Sequence, residues 1–125
     1  MKILFASDIH GSAYYCRRLL DIYKETKASR MVILGDILYH GPRNDLPKEY
    51  APKEVIAMLN PLKDQIYAVR GNCDTEVDQM VLQFPILADY ALLVLDGKTF
   101  YATHGHVFNQ DHLPPMQAGD ILVHG

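Results

Sequence analysis

The amino-acid sequence predicts an α/β fold, because short apolar runs alternate with segments that have a helical pattern. A second observation is the change of pattern after Pro85, where two strand-like runs flank an Asp-Gly pair. A third is that polar side chains suited to metal binding directly follow several of the apolar runs. In an open α/β sheet, loops that leave the carboxyl ends of the strands meet in one crevice, so these side chains are expected to lie together.

Three apolar runs predict buried strands, and the segments between them predict helices. The strands are residues 3–6, 31–34 and 66–69. The first helix is expected over residues 13–28, with Ser12 as its N-cap and Ile22 on its core face. Residues 36–51 form a long loop, and a loop of that length in a compact domain is often functional. The second helix is expected over residues 52–59, because its first residue is a proline.

The remaining elements follow the third strand. A third helix is expected after an N-cap at Asp74 or Thr75. Residues 90–95 and 98–103, on either side of the Asp-Gly pair, predict a hairpin with a type I′ turn. Residues 121–123 begin a further strand.

Composition and charge restrict the class of protein. The 125 residues fit one domain, residues 1–125, and suffice to bury a core without disulfides. The net charge of −3 and the lack of a Lys/Arg run argue against an extended nucleic-acid interface. Cys16 and Cys73 form no CxxC pair, and the apolar N-terminal run is too short for a signal peptide or a membrane span. A cytoplasmic location with reduced thiols is therefore expected.

The first polar motif, Ser7-Asp8-Ile9-His10-Gly11, follows the first strand. Side chains two residues apart on an extended segment point the same way, so Asp8 and His10 are expected to hold one cation together. Gly11 would let the backbone approach a ligand and leads into a helix N-terminus. Taken alone, the motif also fits a turn-forming Asp followed by a surface His.

Similar residues follow the other strands. Asp36 comes after the second strand, Asn72 after the third, and His104 and His106 after the hairpin. Together with the first motif they offer the oxygen and nitrogen ligands that a pair of divalent cations prefers. Each residue alone also fits an ordinary role as a helix cap, a turn residue or a hydrogen-bonded histidine. Their joint placement at strand ends favours a metal site.

The motifs Asp-x-His, Gly-Asp, Gly-Asn and His-Gly, in this order, resemble those of the calcineurin-like metallophosphoesterase superfamily. They lie in residues 7–11, 34–36, 71–74 and 103–106, and residues 39–44 are similar to the YfcE type of its small single-domain phosphodiesterase branch. The resemblance covers essentially the whole chain. It implies two mixed β-sheets packed face to face and flanked by helices, an αββα sandwich of which this chain holds the N-terminal two-thirds.

The resemblance also implies a dinuclear metal centre. Asp8 and His10 would hold the first metal ion, Asp36 would bridge both, and Asn72 and His104 would hold the second. Manganese is the metal that this branch implies, while ligand chemistry alone leaves Mn²⁺, Zn²⁺, Fe²⁺ and Ni²⁺ open. A water or hydroxide between the metals would attack phosphorus in line. The implied enzyme is a phosphoric diester hydrolase.

Further residues are expected around this centre. The catalytic residues implied are Asp36, Asn72, Cys73 and Asp74, and the substrate-binding residues are Arg43, Asn44 and His106. Much of the superfamily has a histidine at the position of Cys73, placed to assist the leaving group. A neutral thiol is a weak donor, so monoesters with poor leaving groups should suffer most and diesters with acidic leaving groups least. The alternative is that Cys73 is simply a small packed residue.

The chain ends where the family pattern continues. Residues 121–125 match a final apolar strand and the glycine of a Gly-His-x-His motif, whose two histidines would complete the metal shells. Five of the usual seven protein ligands therefore lie in this chain. A domain truncated at its C-terminal end is expected.

Two other functions are open to a chain of this pattern. A non-catalytic protein-interaction scaffold of the same fold, as in the retromer-subunit relatives, is the main alternative, although such relatives tend to lose ligand residues. A nucleotide-binding α/β protein is disfavoured, because the first strand–helix turn has neither a GxGxxG motif nor a P-loop. The enzyme would act on a small phosphodiester substrate, with no membrane partner, and could form a homo-oligomer.

Overall fold

A computed structural model describes every residue from Met1 to Gly125. It contains six strands, three α-helices and one 3₁₀ helix. In chain order they are β1 (Ile3–Ala6), α1 (Ala13–Thr26), β2 (Arg30–Ile33), α2 (Pro52–Leu59), the 3₁₀ helix (Asn60–Gln65), β3 (Ile66–Ala68), α3 (Glu76–Val81), β4 (Ala91–Leu95), β5 (Lys98–Thr103) and β6 (Ile121–His124). All the predicted elements are present, and the 3₁₀ helix between α2 and β3 is additional.

The first sheet has the strand order β1-β2-β3 and is parallel throughout. β1 pairs with β2 from Ile3 opposite Arg30 to Ala6 opposite Ile33, and β3 places Ala68 opposite Ile33 on the other side. Because the three strands run in one direction, their carboxyl ends lie at one edge of the sheet. The loops that carry the predicted ligands of this sheet leave from that edge.

The second sheet has the strand order β4-β5-β6 and is mixed. β4 and β5 form the predicted antiparallel hairpin. Asp96 and Gly97 have φ values of 52° and 77°, the left-handed pair that a type I′ turn requires. β6 pairs parallel with β5 and brings His124 opposite Thr103, so the end of the chain lies beside the end of β5.

The two sheets pack face to face, as predicted. Val32, Leu34 and Val69 are buried between the sheets together with Ala102 of β5. Because side chains alternate along a strand, Met31 points to the opposite face, where a larger apolar cluster packs α1 and α2 onto the first sheet. The burial of these two apolar surfaces is the main favourable term in folding.

Residues 1–125 supply three layers of the αββα sandwich. Helices α1 and α2 cover the outer face of the first sheet. On the outer face of the second sheet, Leu92 and Val94 are exposed, and no helix of these residues covers them. None of the three α-helices combines the length and the apolar character that crossing a lipid bilayer would need.

The local sequence explains how two of the helices begin. The hydroxyl of Ser12 accepts a hydrogen bond from the third amide of α1 at 3.2 Å and caps this helix as predicted. The core face of α1 is narrower than predicted, since Ile22 is 42% exposed. α3 begins with a capping box in which Thr75 and Asp78 each bind the other's amide. Thr75 rather than Asp74 is therefore the N-cap, because the Asp74 carboxylate has other partners.

The packing predicts unequal effects of the same truncation at two valines. Val32→Ala removes two methyl groups between the sheets, where Val32 is 1% exposed, and should lower the free energy of unfolding by about 2 kcal/mol. Val77→Ala in α3 is the matched control, because Val77 is 68% exposed and should change it by less than about 0.5 kcal/mol. Urea denaturation measures both values. Equal losses of unfolding free energy at the two positions would contradict the difference in burial between Val32 and Val77.

Candidate metal centre

The loops that follow β1, β2 and β3 carry predicted metal ligands and are called the first, second and third ligand loops. The backbones of the first two are hydrogen-bonded to each other beyond the ends of β1 and β2. The amide of Asp8 donates to the Gly35 carbonyl at 3.0 Å, and the amide of His10 donates to the Asp36 carbonyl at 2.9 Å. These bonds continue the pairing of the two strands past the sheet. The side chains of both loops are thereby held over the same edge.

Asp8 and His10 converge, although not for the predicted reason. Both have left-handed backbone, with φ values of 62° and 50°, rather than the extended conformation expected from their spacing. Such conformations are unfavourable for residues other than glycine and are concentrated at functional sites. The turn places Nε2 of His10 3.1 Å from Oδ1 of Asp8. Nδ1 of His10 lies 2.8 Å from the Tyr39 carbonyl, which can only accept, so Nδ1 carries the proton and Nε2 faces the site.

Asp36 lies at the middle of the group. It is 2% exposed and has a left-handed φ of 56°. Its Oδ2 is 3.5 Å from Nε2 of His10 and 3.2 Å from Nε2 of His104. Its Oδ1 accepts a hydrogen bond from the amide of Cys73 at 2.8 Å. One carboxylate thus faces ligand residues of both predicted metal positions, as a bridging ligand must.

The second sheet contributes His104, just after the end of β5. Nδ1 of His104 donates to the Leu34 carbonyl at 2.6 Å, which directs Nε2 toward Oδ1 of Asn72 at 2.8 Å. Because Leu34 follows β2, this bond also joins the two sheets at the site. The five residues predicted to bind metal are therefore brought together from four separate loops.

Two glycines allow this close approach. A Cβ on Gly35 would lie 2.4 Å from the backbone nitrogen of Gly71. A Cβ on Gly71 would lie 2.2 Å from Oδ1 of Asp36. Both distances are too short for a non-bonded contact of a Cβ atom. The Gly-Asp and Gly-Asn motifs therefore need glycine in order to bring the second and third loops together.

The donor set fits divalent cations. Two groups of three residues offer ligand atoms within 4.8 Å of one another: Asp8 with Asp36 and His104, and His10 with Asp36 and Cys73. Carboxylate oxygens and imidazole nitrogens suit borderline divalent ions, and the Asn72 amide oxygen adds a neutral hard ligand. The carboxylates of Asp8 and Asp36 form ion pairs only with histidine side chains, and with no lysine or arginine. Cys73, which was predicted to lie beside the leaving group, also belongs to the second group.

The electrostatics of the site keep Asp36 charged. Burial alone would raise the pKa of Asp36, but hydrogen bonds from His104 and the Cys73 amide, with the charges of both imidazoles, lower it below the ordinary value. The hydrogen bond with Asp36 raises the pKa of His104 to about 9, although burial opposes this shift. Burial, and then the charges of Asp36 and Asp74, raise the pKa of the Cys73 thiol. Cys73 is therefore a neutral thiol near pH 7.

Asp74, predicted to be catalytic, lies beneath the centre and does not face it. It is 2% exposed. Its carboxylate accepts hydrogen bonds from the amides of Asp36 (2.8 Å), Ile37 (3.0 Å) and Gly71 (2.7 Å). Both of its oxygens are thus occupied by backbone groups. A carboxylate in this position joins the backbone of the two loops that carry Asp36 and Asn72.

Asn44 lies beside the centre, within the long loop predicted from the sequence. Its Nδ2 donates to the His40 carbonyl at 2.8 Å. A Cβ on Gly41 would be 3.0 Å from this amide nitrogen and 3.2 Å from Sγ of Cys73, so the side chains of Asn44 and Cys73 both lie close to Gly41. His106, which was also predicted to bind substrate, lies next to His104. The centroids of the two rings are 5.3 Å apart.

Arg43 is exposed, and no hydrogen bond or ion pair joins it to a ligand residue.

Sequence reasoning missed three groups that orient the predicted metal ligands. The hydroxyl of Ser7 donates a hydrogen bond to Oδ2 of Asp8. The only indication of this contact in the sequence is that Ser7 directly precedes Asp8. The carbonyls of Tyr39 and Leu34 orient the two imidazoles, and backbone groups leave no signal in residue type.

Comparison with known proteins identifies the family. A family model described as calcineurin-like phosphoesterase matches residues 1–124. The chain belongs to the calcineurin-like phosphoesterase family. The family that its motifs predicted is thereby confirmed.

Relatives of this calcineurin-like phosphoesterase include phosphodiesterase YfcE of Escherichia coli K12 and of E. coli O157:H7. The chain is 49% identical to each over 125 residues, which is all of this chain and 68% of theirs. The solved structure of YfcE, a phosphoesterase from E. coli, matches with a TM-score of 0.93 at 48% identity, over 96% of this chain and 66% of that one. A novel archaeal phosphodiesterase matches with a TM-score of 0.59 at 25% identity, over 85% and 60%. The predicted fold is confirmed, and the chain spans about two-thirds of its relatives' length.

The raised pKa of His104 predicts a pH dependence for the metal-free protein. The imidazole has a pKa of 6.5 ordinarily and about 9 in the folded protein, so its protonated form stabilises the fold fully below pH 6.5. This contribution is lost as the pH rises through about 9. The free energy of unfolding in urea and a chelator should fall by an amount on the order of 2 kcal/mol between pH 6 and 10.

His104→Asn should remove most of that pH dependence, whereas His112→Asn should not, because His112 is exposed and outside the site. A profile that His104→Asn leaves unchanged would show that the Asp36–His104 pair does not cause it.

Proposed function

We propose that this calcineurin-like phosphoesterase hydrolyses phosphodiester bonds with two divalent metal ions. The observation that carries the proposal is the convergence of five ligand residues from four loops: Asp8, His10, Asp36, Asn72 and His104. The family match, and the 49% identity to a protein named phosphodiesterase YfcE, support a phosphoric diester hydrolase. A small phosphodiester is the substrate that fits this class.

The five ligand residues divide between two metal positions. Asp8 and His10 would hold one ion, Asn72 and His104 the other, and Asp36 would contact both. When bound, the ions would supply an activated water and neutralise charge on the phosphoryl oxygens. Mn²⁺ is the proposed occupant, and Zn²⁺, Fe²⁺ and Ni²⁺ also suit these donors.

The contribution of the chain itself is to fix the ligands before a substrate binds. The carbonyls of Tyr39 and Leu34 hold both imidazoles with Nε2 toward the centre. The lowered pKa of Asp36 keeps its carboxylate ionised, and the Cys73 amide fixes the orientation of that carboxylate. The ligands therefore need little reorganisation during the reaction.

Cys73 supports a diester over a monoester as substrate. Its Sγ lies 3.6 Å from Nδ2 of Asn72, at the edge of the centre. In the metal-free protein the raised pKa of the thiol keeps it protonated, and a thiol is a weak hydrogen-bond donor to a leaving oxygen. A diester with an acidic leaving group needs little such assistance.

The neighbouring polar residues would bind the rest of the substrate. Asn44 is held beside Cys73, His106 lies next to His104, and Arg43 is free to direct its guanidinium at a phosphoryl oxygen. The scaffold alternative is disfavoured, because the ligand residues that a scaffold tends to lose are present and converge. A cytoplasmic location and a homo-oligomer stay predictions.

Replacing the central carboxylate tests the enzyme directly. Asp36→Asn removes the charge that would lie between the two ions, so hydrolysis of bis-p-nitrophenyl phosphate with added Mn²⁺ should fall at least about 100-fold. Asp21→Asn makes the same chemical change on the exposed side of α1 and should leave turnover unchanged. Turnover by Asp36→Asn equal to that of Asp21→Asn would exclude the proposed centre.

A second substitution tests the substrate preference. Cys73→His introduces an imidazole that can donate to the leaving oxygen, so turnover of p-nitrophenyl phosphate should rise relative to the diester, by about 10-fold or more. Cys73→Ser is the matched control, because it changes the size of the group little and adds no titratable donor near pH 7. The ratio of kcat/KM for the two substrates is the measurement. An unchanged ratio in Cys73→His would leave Cys73 as a packing residue only.

A further inference from the structure

The side chain of Asp74 makes three hydrogen bonds, and all three partners are backbone amides of ligand loops. The amides of Asp36 and Ile37 belong to the second loop, and the amide of Gly71 belongs to the third. Asp74 is 2% exposed, and no lysine, arginine or histidine forms an ion pair with it. Its charge is therefore balanced by backbone dipoles alone.

The ligand loops are joined to one another in two different ways. Backbone hydrogen bonds join the first loop to the second, among them the bond from the Gly11 amide to the Ile37 carbonyl at 2.8 Å. No backbone–backbone hydrogen bond joins residues 70–74 to residues 35–37. Side chains make this second connection: the Asp74 carboxylate, and Oδ1 of Asp36, which accepts from the third loop at 2.8 Å.

We propose that Asp74 is a positioning residue that holds the third ligand loop, and with it Asn72, at the distance from Asp36 that the second metal ion requires. This inference rests on the two-metal centre proposed above. Two ligands of the first ion, Asp8 and His10, are held by backbone bonds that do not involve Asp74, whereas Asp36, which would contact both ions, is held by Asp74 through its amide. Loss of the Asp74 carboxylate should therefore weaken the second metal position more than the first.

An amide cannot replace this carboxylate. In Asp74→Asn, one oxygen that accepts from backbone N–H groups becomes an NH₂ group, and two donors then face each other. At least one buried amide of the second or third loop loses its partner. The third loop should move away from Asp36, although the shape of the side chain is conserved.

Titration calorimetry with MnCl₂ on the metal-free protein tests this inference. The wild-type protein should bind two ions, whereas Asp74→Asn should bind the second about 10- to 100-fold more weakly and should lose less affinity for the first. Gln79→Ala is the matched control. Gln79 also makes three hydrogen bonds from its side chain to the backbone, with Leu82, Phe84 and Ile86, but lies outside the site. This control should keep two ions with wild-type affinities.

Electron paramagnetic resonance provides a readout that general destabilisation would not change. At two Mn²⁺ per chain, the exchange-coupled signal of the wild-type protein and of Gln79→Ala should be replaced in Asp74→Asn by the signal of isolated Mn²⁺. If Asp74→Asn does not fold, Asp74→Glu decides, because it keeps the carboxylate while its extra methylene group changes the distance between the third loop and the amides of Asp36 and Ile37. Asp74→Glu should show the same preferential loss of the second ion.

The outcomes separate this inference from the proposed function. Two ions bound with wild-type affinities by Asp74→Asn, or by Asp74→Glu where Asp74→Asn does not fold, would overturn the positioning role and leave the metal centre intact. Equal weakening of the second ion by Gln79→Ala would also overturn it, since any loss of stability would then suffice. Wild-type protein that binds fewer than two ions would overturn the metal centre itself, and the positioning role with it.

Discussion

The site depends on the carboxylate of Asp36 being held in one place. Its amide is bound by Asp74 at 2.8 Å, its carbonyl by the amide of His10 at 2.9 Å, and its Oδ1 by the amide of Cys73 at 2.8 Å. These partners come from two different parts of the chain, and they maintain a left-handed backbone that costs a non-glycine residue roughly 1–3 kcal/mol. With those contacts made, Oδ2 is left to face the two imidazoles.

Charge balance explains why this arrangement needs cations. Asp8, Asp36 and Asp74 bring three carboxylates to one edge of the fold, and none of them pairs with lysine or arginine. Backbone amides compensate Asp74, whereas the ion-pair partners of Asp8 and Asp36 are the imidazoles of His10 and His104. The buried charge of Asp36 is destabilising unless it is well paired. Divalent ions would replace the proton of His104, whose pKa is raised to about 9, so metal binding and proton release are coupled at this imidazole.

The sequence was sufficient to predict where the ligands would meet, because apolar runs fix the strands and parallel strands share one carboxyl edge. It was not sufficient to predict how each turn is built. Asp8 and His10 are left-handed rather than extended, since hydrogen bonds to the next loop decide their conformation. The resemblance implied a catalytic role for Asp74, but it did not indicate that the carboxylate binds the amide of Asp36, because that residue is 38 positions away and such a contact has no local signal.

The place of the site between the two sheets links its chemistry to the stability of the fold. His104 follows a strand of the second sheet, yet its ring binds the Leu34 carbonyl and faces Asp36, both of which follow β2 of the first sheet. Ions held by ligands from both sheets would therefore resist their separation. A ligand that binds only the folded state at 100 times its Kd adds about 2.7 kcal/mol. This increment would add to the packing of the four buried and five partly buried apolar residues that lie between the sheets. The contact between His104 and Leu34 that orients the imidazole thus also helps to hold the two sheets together.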